Sequence, residues 1–169
     1  MLSKKLETAM NDQINAEFWS AYLYLSMSTY CSNAGLSGAA NWFKIQFQEE
    51  QAHAEKFMNY MISRGNRVTL KPIEKVKTSW KSLLEAFKDT LEHEKKVTAM
   101  INNLYALAEK EKDYATKIML NWYVNEQVEE EEHAQGMIDA LTMIGDGYGL
   151  YQFDKELAAR VFTPIAEEE

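Results

Sequence analysis

The sequence predicts an all-α protein: a four-helix bundle with a long crossover between its second and third helices, and a short fifth helix near the C-terminal end. Three observations carry that prediction. Four long segments place apolar residues at alternating steps of three and four, the period of one helical face. The 169 residues include only 2 Pro and 7 Gly, too few turn formers for many short strands. The stretch 66–82 has no helical period, contains Pro72, and is long enough to span the bundle.

The first helix is expected over about 3–33, stopped by Gly35, with the stripe Met10, Gln13, Glu17, Ser20, Tyr24, Met27 and Cys31. The second is expected over 38–64, with Ser37 as N-cap, Gly65-Asn66 as closure, and the stripe Ala39, Phe43, Gln46, Glu50, His53, Phe57 and Tyr60. The third, over 82–111, carries Leu84, Phe87, Leu91, Glu94, Thr98, Ile101, Tyr105 and Ala108. The fourth starts at the N-cap Asp113 and ends at Gly145-Asp146-Gly147; its stripe is Leu120, Tyr123, Gln127, Glu130, Ala134, Met137, Leu141 and Ile144. A fifth helix is expected over about 152–162, before an acidic tail at 165–169. Extended, the crossover reaches about 55 Å, whereas the second helix is about 40 Å long. It can therefore return along the whole bundle. Two antiparallel hairpins follow, with the second and third helices parallel, as one domain over 1–169 whose bundle occupies about 3–145.

Bulk properties exclude several functions. With 46% hydrophobic residues the chain can build a sizeable core. A net charge of −8 argues against a nucleic-acid partner and is compatible with attracting cations. The single cysteine, Cys31, excludes an intrachain disulfide framework and a four-cysteine metal site. No apolar run is long enough to span a membrane. Residues 1–6 lead into a charged amphipathic run, so a cytoplasmic protein is expected.

All four stripes are interrupted by acids at one level: Glu17; Glu50 with His53; Glu94; and Glu130 with Gln127. None of the stripes contains Lys or Arg. A carboxylate in a dry interior costs several kcal/mol unless it is paired or neutralised. Four of them require a cation from outside, which points to a metal site. Glu50-x-x-His53 and Glu130-x-x-His133 each put two side chains one turn apart on one face. The halves echo each other: Glu17 precedes Glu50 by 33 residues, and Glu94 precedes Glu130 by 36. Oxygen donors with one or two imidazoles suit iron or manganese. Glu50, beside His53, is the natural bridge between two ions. Glu129–Glu132 covers every side of its helix, so only Glu130 belongs to the seam.

Glu17, Tyr24, Glu49-Glu50-x-x-His53, Glu94 and the run Trp122–Glu131 resemble the corresponding residues of bacterial-type non-haem ferritins, in the ferritin-like di-iron carboxylate family. The resemblance covers nearly the whole chain. It implies a ferroxidase that oxidises Fe(II) to Fe(III) with O₂ or hydrogen peroxide, and stores ferric mineral in a homo-oligomeric, 24-subunit cage. It implies one iron on Glu17, Glu50 and His53, and a second on Glu50, Glu94 and Glu130 with Gln127 nearby. A third, more exposed iron would use Glu49, Glu126 and Glu129, shared with Glu130. Tyr24 would hydrogen-bond a ligand carboxylate and take part in electron supply.

His133 departs from the usual ferritin set and matches the second histidine of bacterioferritins. It lies near Glu126 and Glu130 by angle and is open between a ligand of the second iron, a ligand of the third, and a solvated side chain. The methionine that carries haem in bacterioferritins falls on Gln51, so no haem is expected. The acidic entry pore of animal ferritins falls on Lys117 and Leu120. Three other functions compete. One is a di-iron peroxidase of the rubrerythrin kind, an enzyme without storage, or a bacterioferritin-like centre made more symmetric by His133. A DNA-protecting miniferritin would carry its ligands between subunits. A structural subunit would lack Glu17, His53 or Glu94, all of which are present.

Overall fold

The protein, described by a computed structural model over residues 1–145 and 147–165, is helical throughout its regular elements. Asp146, expected in the turn after the fourth helix, and 166–169 of the expected acidic tail lie outside the described residues. The helices are α1 (Lys4–Asn33), α2 (Ser37–Ser63), α3 (Leu83–Lys110), α4 (Tyr114–Ile144) and α5 (Tyr148–Leu157). No described helix is long and apolar enough to cross a membrane.

Their ends follow capping chemistry. The Ser3, Ser82 and Asp113 side chains accept from the backbone N–H groups of Leu6, Glu85 and Thr116 and so cap α1, α3 and α4. Ser37 was expected to cap α2 but is its first helical residue. The cap comes from α5 instead: the Asp154 carboxylate accepts from the N–H groups of Gly38 at 3.0 Å and Ala39 at 2.8 Å. A negative group at a helix N-terminus is favourable. Gly38 permits this approach, because a Cβ there would meet the Asp154 carbonyl oxygen at 1.6 Å. α5 begins and ends several residues before the expected 152–162, and this docking onto α2 fixes its position.

Hydrogen bonds between helices settle the topology. Ser28 donates to the Ala40 carbonyl, Gln46 to Glu130, Tyr24 to Glu94, and Tyr123 to the His53 carbonyl. The short turn at 34–36 makes α1 antiparallel to α2; Tyr24–Glu94 with Met27–Thr90 runs antiparallel between α1 and α3, and Gln46–Glu130 with His53–Tyr123 between α2 and α4, which leaves α2 and α3 parallel. The crossover lies along α1. Asn11 donates to the Arg67 carbonyl, Asn15 to the Pro72 carbonyl, and Ser26 to the Lys77 carbonyl, in that order up the helix. Trp80 anchors its end, buried and donating to Asp89 at 2.8 Å.

The apolar interior is divided into two clusters. One gathers Met27, Cys31, Phe43, Phe87 and Leu141; the other gathers Met10, Ile14, Phe57, Ile101 and Leu120. Between them lies a polar belt of buried residues, Gln13, Glu17, Gln46, Glu50, His53, Glu94, Gln127 and Glu130.

Candidate metal centre

Every one of the four expected stripes is buried or half-buried along its whole length, so each acid is carried inward by the helix that bears it. Glu94 is 0%, Glu17 1%, Glu50 2%, His53 3% and Glu130 5% exposed, and no lysine or arginine stands among them. The two apolar clusters seal the belt above and below.

Glu17, Glu50 and His53, the three residues expected to share one metal position, each offer a potential ligand atom, and these atoms lie within 4.8 Å of one another. A second group is His53, Glu126 and Glu130. This differs from the expected second set of Glu50, Glu94 and Glu130. Glu94 instead accepts from the Tyr24 hydroxyl and, at 3.1 Å, from the Gln127 amide. Glu17 and Glu130 also have neutral donors. Gln13 donates to Glu17 at 2.9 Å, and Gln46 donates to Glu130 at 2.6 Å. Tyr123 donates to the His53 backbone carbonyl at 2.7 Å; the imidazole itself has Nδ1 3.3 Å from Glu50 and Trp122 packed edge-on at 5.3 Å.

Burial is the main cause that pushes the carboxyls upward. Glu94 rises to about 7. Glu50 and Glu130 are raised well above the ordinary range by burial and then by the neighbouring acids. Glu17 is also raised by burial, opposed by His53 and Gln13. Such acids favour a cation that replaces their protons. The set, several carboxylate oxygens and one imidazole, fits a hard or borderline divalent ion such as iron or manganese.

The other expected residues lie on the rim. Glu49 and Glu126 are half-buried, and Glu129 is exposed. With His133 and the C-terminal segment they line a cleft of about 260 Å³ that reaches His53 and Glu130. His133 is exposed on α4 and belongs to neither ligand group. Leu120, at the position of the animal entry pore, is buried inside the bundle.

Some residues of the centre were not among the expected ligands. Gln13 and Gln46 sit one turn before Glu17 and Glu50; their polarity on an apolar stripe was the available signal. Arg160 had none: it fell inside the expected 152–162 helix, where no stripe marked it, and in the structure it follows α5. Its guanidinium donates to Glu49 at 2.6 Å and Gln46 at 2.7 Å. His93, on the far side of Glu94, pairs with Ser20 at 2.7 Å and packs against Trp19 and Tyr24; burial lowers its pKa to about 4, so it is neutral.

Comparison with known proteins agrees with this geometry. Residues 7–144 match the Ferritin-like domain. The chain is 47% identical over 163 residues to the bacterial non-heme ferritin of Staphylococcus haemolyticus, covering 96% of this chain and 98% of that one. It is 45% identical to the same protein of Staphylococcus epidermidis, over 96% of this chain and 99% of that one. An open-pore ferritin from Archaeoglobus fulgidus superposes with a TM-score of 0.94 at 46% identity, covering 95% of this chain and all of that one. An engineered closed form of that ferritin gives 0.95 at 47%, covering 96% of this chain. A helical bundle with buried acids from four helices, matched along nearly its whole length by ferritins, places this chain in the ferritin-like family.

Proposed function

We propose that the chain is the subunit of an iron-storing ferroxidase. It oxidises Fe(II) to Fe(III) at a di-iron centre within one bundle, and ferric mineral accumulates in a hollow 24-subunit homo-oligomeric cage in the cytoplasm. The observation that carries the reading is the buried convergence of Glu17, Glu50 and His53, beside Glu94 and Glu130, with no lysine or arginine among them.

The residues divide the work. Glu17 and His53 hold one Fe(II) substrate, Glu94 and Glu130 hold the other, and Glu50 spans both. Gln127 and Tyr24 orient Glu94, Gln46 orients Glu130, and Gln13 orients Glu17. Two Fe(II) each give one electron to O₂, which with two protons leaves as hydrogen peroxide; peroxide can serve as oxidant in turn. Protons displaced from Glu50 and Glu94 on iron binding are available at the site. Carboxylates favour the harder Fe(III), and the rim acids Glu49, Glu126 and Glu129 offer a third position beside the cleft.

The test is an anaerobic Fe(II) titration of the assembled protein, followed by O₂ and optical recording. Two or three irons per chain and rapid oxidation are expected, with Glu50→Ala losing the rapid phase while sedimentation still reports a large shell. Rapid oxidation that survives in Glu50→Ala would defeat the bridge assignment. Sedimentation of the unaltered chain as a dimer would favour the peroxidase reading over storage.

A further inference from the structure

Arg160 is a cationic side chain hydrogen-bonded into the rim of the centre, whereas Lys56, the other cation near Glu126, lies over the Trp122 ring. Its guanidinium donates to Glu49 at 2.6 Å, to Gln46 at 2.7 Å and to the Trp42 carbonyl at 3.3 Å, and lies 4.4 Å from the centre of the Trp42 ring. Its backbone is held as well, because Asn41 donates to its carbonyl at 2.9 Å. Two hydrogen bonds upstream, Asp154 pins α5 to the start of α2. Gln46 passes the contact inward: its oxygen accepts from Arg160 and its amide nitrogen donates to Glu130 at 2.6 Å.

Resting on the function proposed above, we infer that Arg160 is a positioning residue that competes with metal cations at the rim. It pairs with Glu49, the acid that the third ion needs, and through Gln46 it aims Glu130. A cation entering the rim has to displace the guanidinium from Glu49. The rim position is thereby kept weak, and iron leaves it for the interior of the cage instead of resting there. A fork of three hydrogen bonds on a stacked plane is specific to arginine, whereas a lysine keeps the charge and loses the geometry.

The probe is Zn(II) alone, which has no redox chemistry, added to the full-length assembled protein in a calorimetric titration. In Arg160→Gln the weakest class of sites is expected to tighten by about tenfold, since one nearby positive charge is removed. Arg160→Lys should stay within about threefold of the parent, because its charge remains. Glu49→Gln should lose that class. Damage to the C-terminal segment would weaken binding, so tightening is a change that a purely structural role does not produce. An unchanged or weaker class in Arg160→Gln overturns the inference.

A crystal structure of the unaltered protein saturated with Zn(II) gives a second test that needs no variant. Zinc beside Glu49, with Arg160 swung off that carboxylate, is expected. Zinc there with the Arg160–Glu49 pair intact, or no rim zinc at all, overturns the inference. Absence of zinc between Glu17, Glu50 and His53 would defeat the functional reading itself, and so the two failures are told apart.

Discussion

The chain uses the same four-residue spacing twice, and the two copies end in different places. Glu50-x-x-His53 on α2 puts both side chains in the interior, with His53 at 3% exposure. Glu130-x-x-His133 on α4 buries the glutamate and leaves the histidine exposed on the rim. The difference is one of phase. On α2 the apolar stripe steps by four from Gln46 to Glu50, then by three to His53. On α4 it steps by three from Gln127 to Glu130, then by four to Ala134, so His133 falls to the side. A ligand motif is thus a statement about a helix face, and its meaning depends on where the seam goes next.

The largest effects should follow from breaking the buried copy. His53→Leu removes the imidazole shared by both candidate ligand groups among the described residues and is expected to slow rapid Fe(II) oxidation by about a hundredfold or more. His133→Leu is expected to leave the shell intact and change the rate by about twofold to fivefold. Stopped-flow oxidation of the two variants side by side measures the contrast; equal losses would mean that α4 contributes its histidine as fully as α2 does.

A second contrast separates the dry acids from the wet ones through pH. Glu94 has a folded pKa of about 7 against an ordinary 4.5, raised chiefly by burial. As pH rises past about 4.5 the unfolded chain releases this proton and the folded chain keeps it, so metal-free stability falls until about pH 7 and then levels. Glu94→Gln removes that penalty, on the order of 3 kcal/mol at pH 8, and should have little effect at pH 4. Melting of metal-free protein across this range is the check. Glu129→Gln, on an exposed side chain, should change melting by far less at any pH.

Gly38→Ala isolates the outer layer. Its Cβ would overlap the Asp154 carbonyl, so α5 must shift, taking the Arg160 contacts with it. A loss of about 1–3 kcal/mol is expected, with the buried acids still able to bind metal. Tyr24→Phe is the smallest change. It removes one donor to Glu94 and should cost about 1 kcal/mol in metal-free protein while altering the oxidation time course.

Much of this was legible from residue order alone. The four stripes, the two hairpins, the crossover and the burial of Glu17, Glu50, His53, Glu94 and Glu130 all follow from a three-four period interrupted by acids without basic partners. The α4 stripe itself, passing from Glu130 to Ala134, already carried the placement of His133. The α2 cap was not legible, because Asp154 is more than a hundred residues from Gly38 and belongs to a different helix. Arg160 was hidden for the same reason: it fell inside the expected 152–162 helix, where no stripe marked it, and only the docking of α5 onto α2 brings it to Glu49. The orientation of Glu94 toward Tyr24 and Gln127 is a choice among hydrogen-bond donors that helix phase does not specify.

The most direct measurement is an iron-edge anomalous difference map from crystals soaked anaerobically in Fe(II). The account predicts two strong peaks between the four helices, one at Glu17, Glu50 and His53 and one at Glu50, Glu94 and Glu130, with His133 outside both. A dominant peak bound by Glu130 and His133, with none at Glu17 and Glu50, would contradict it.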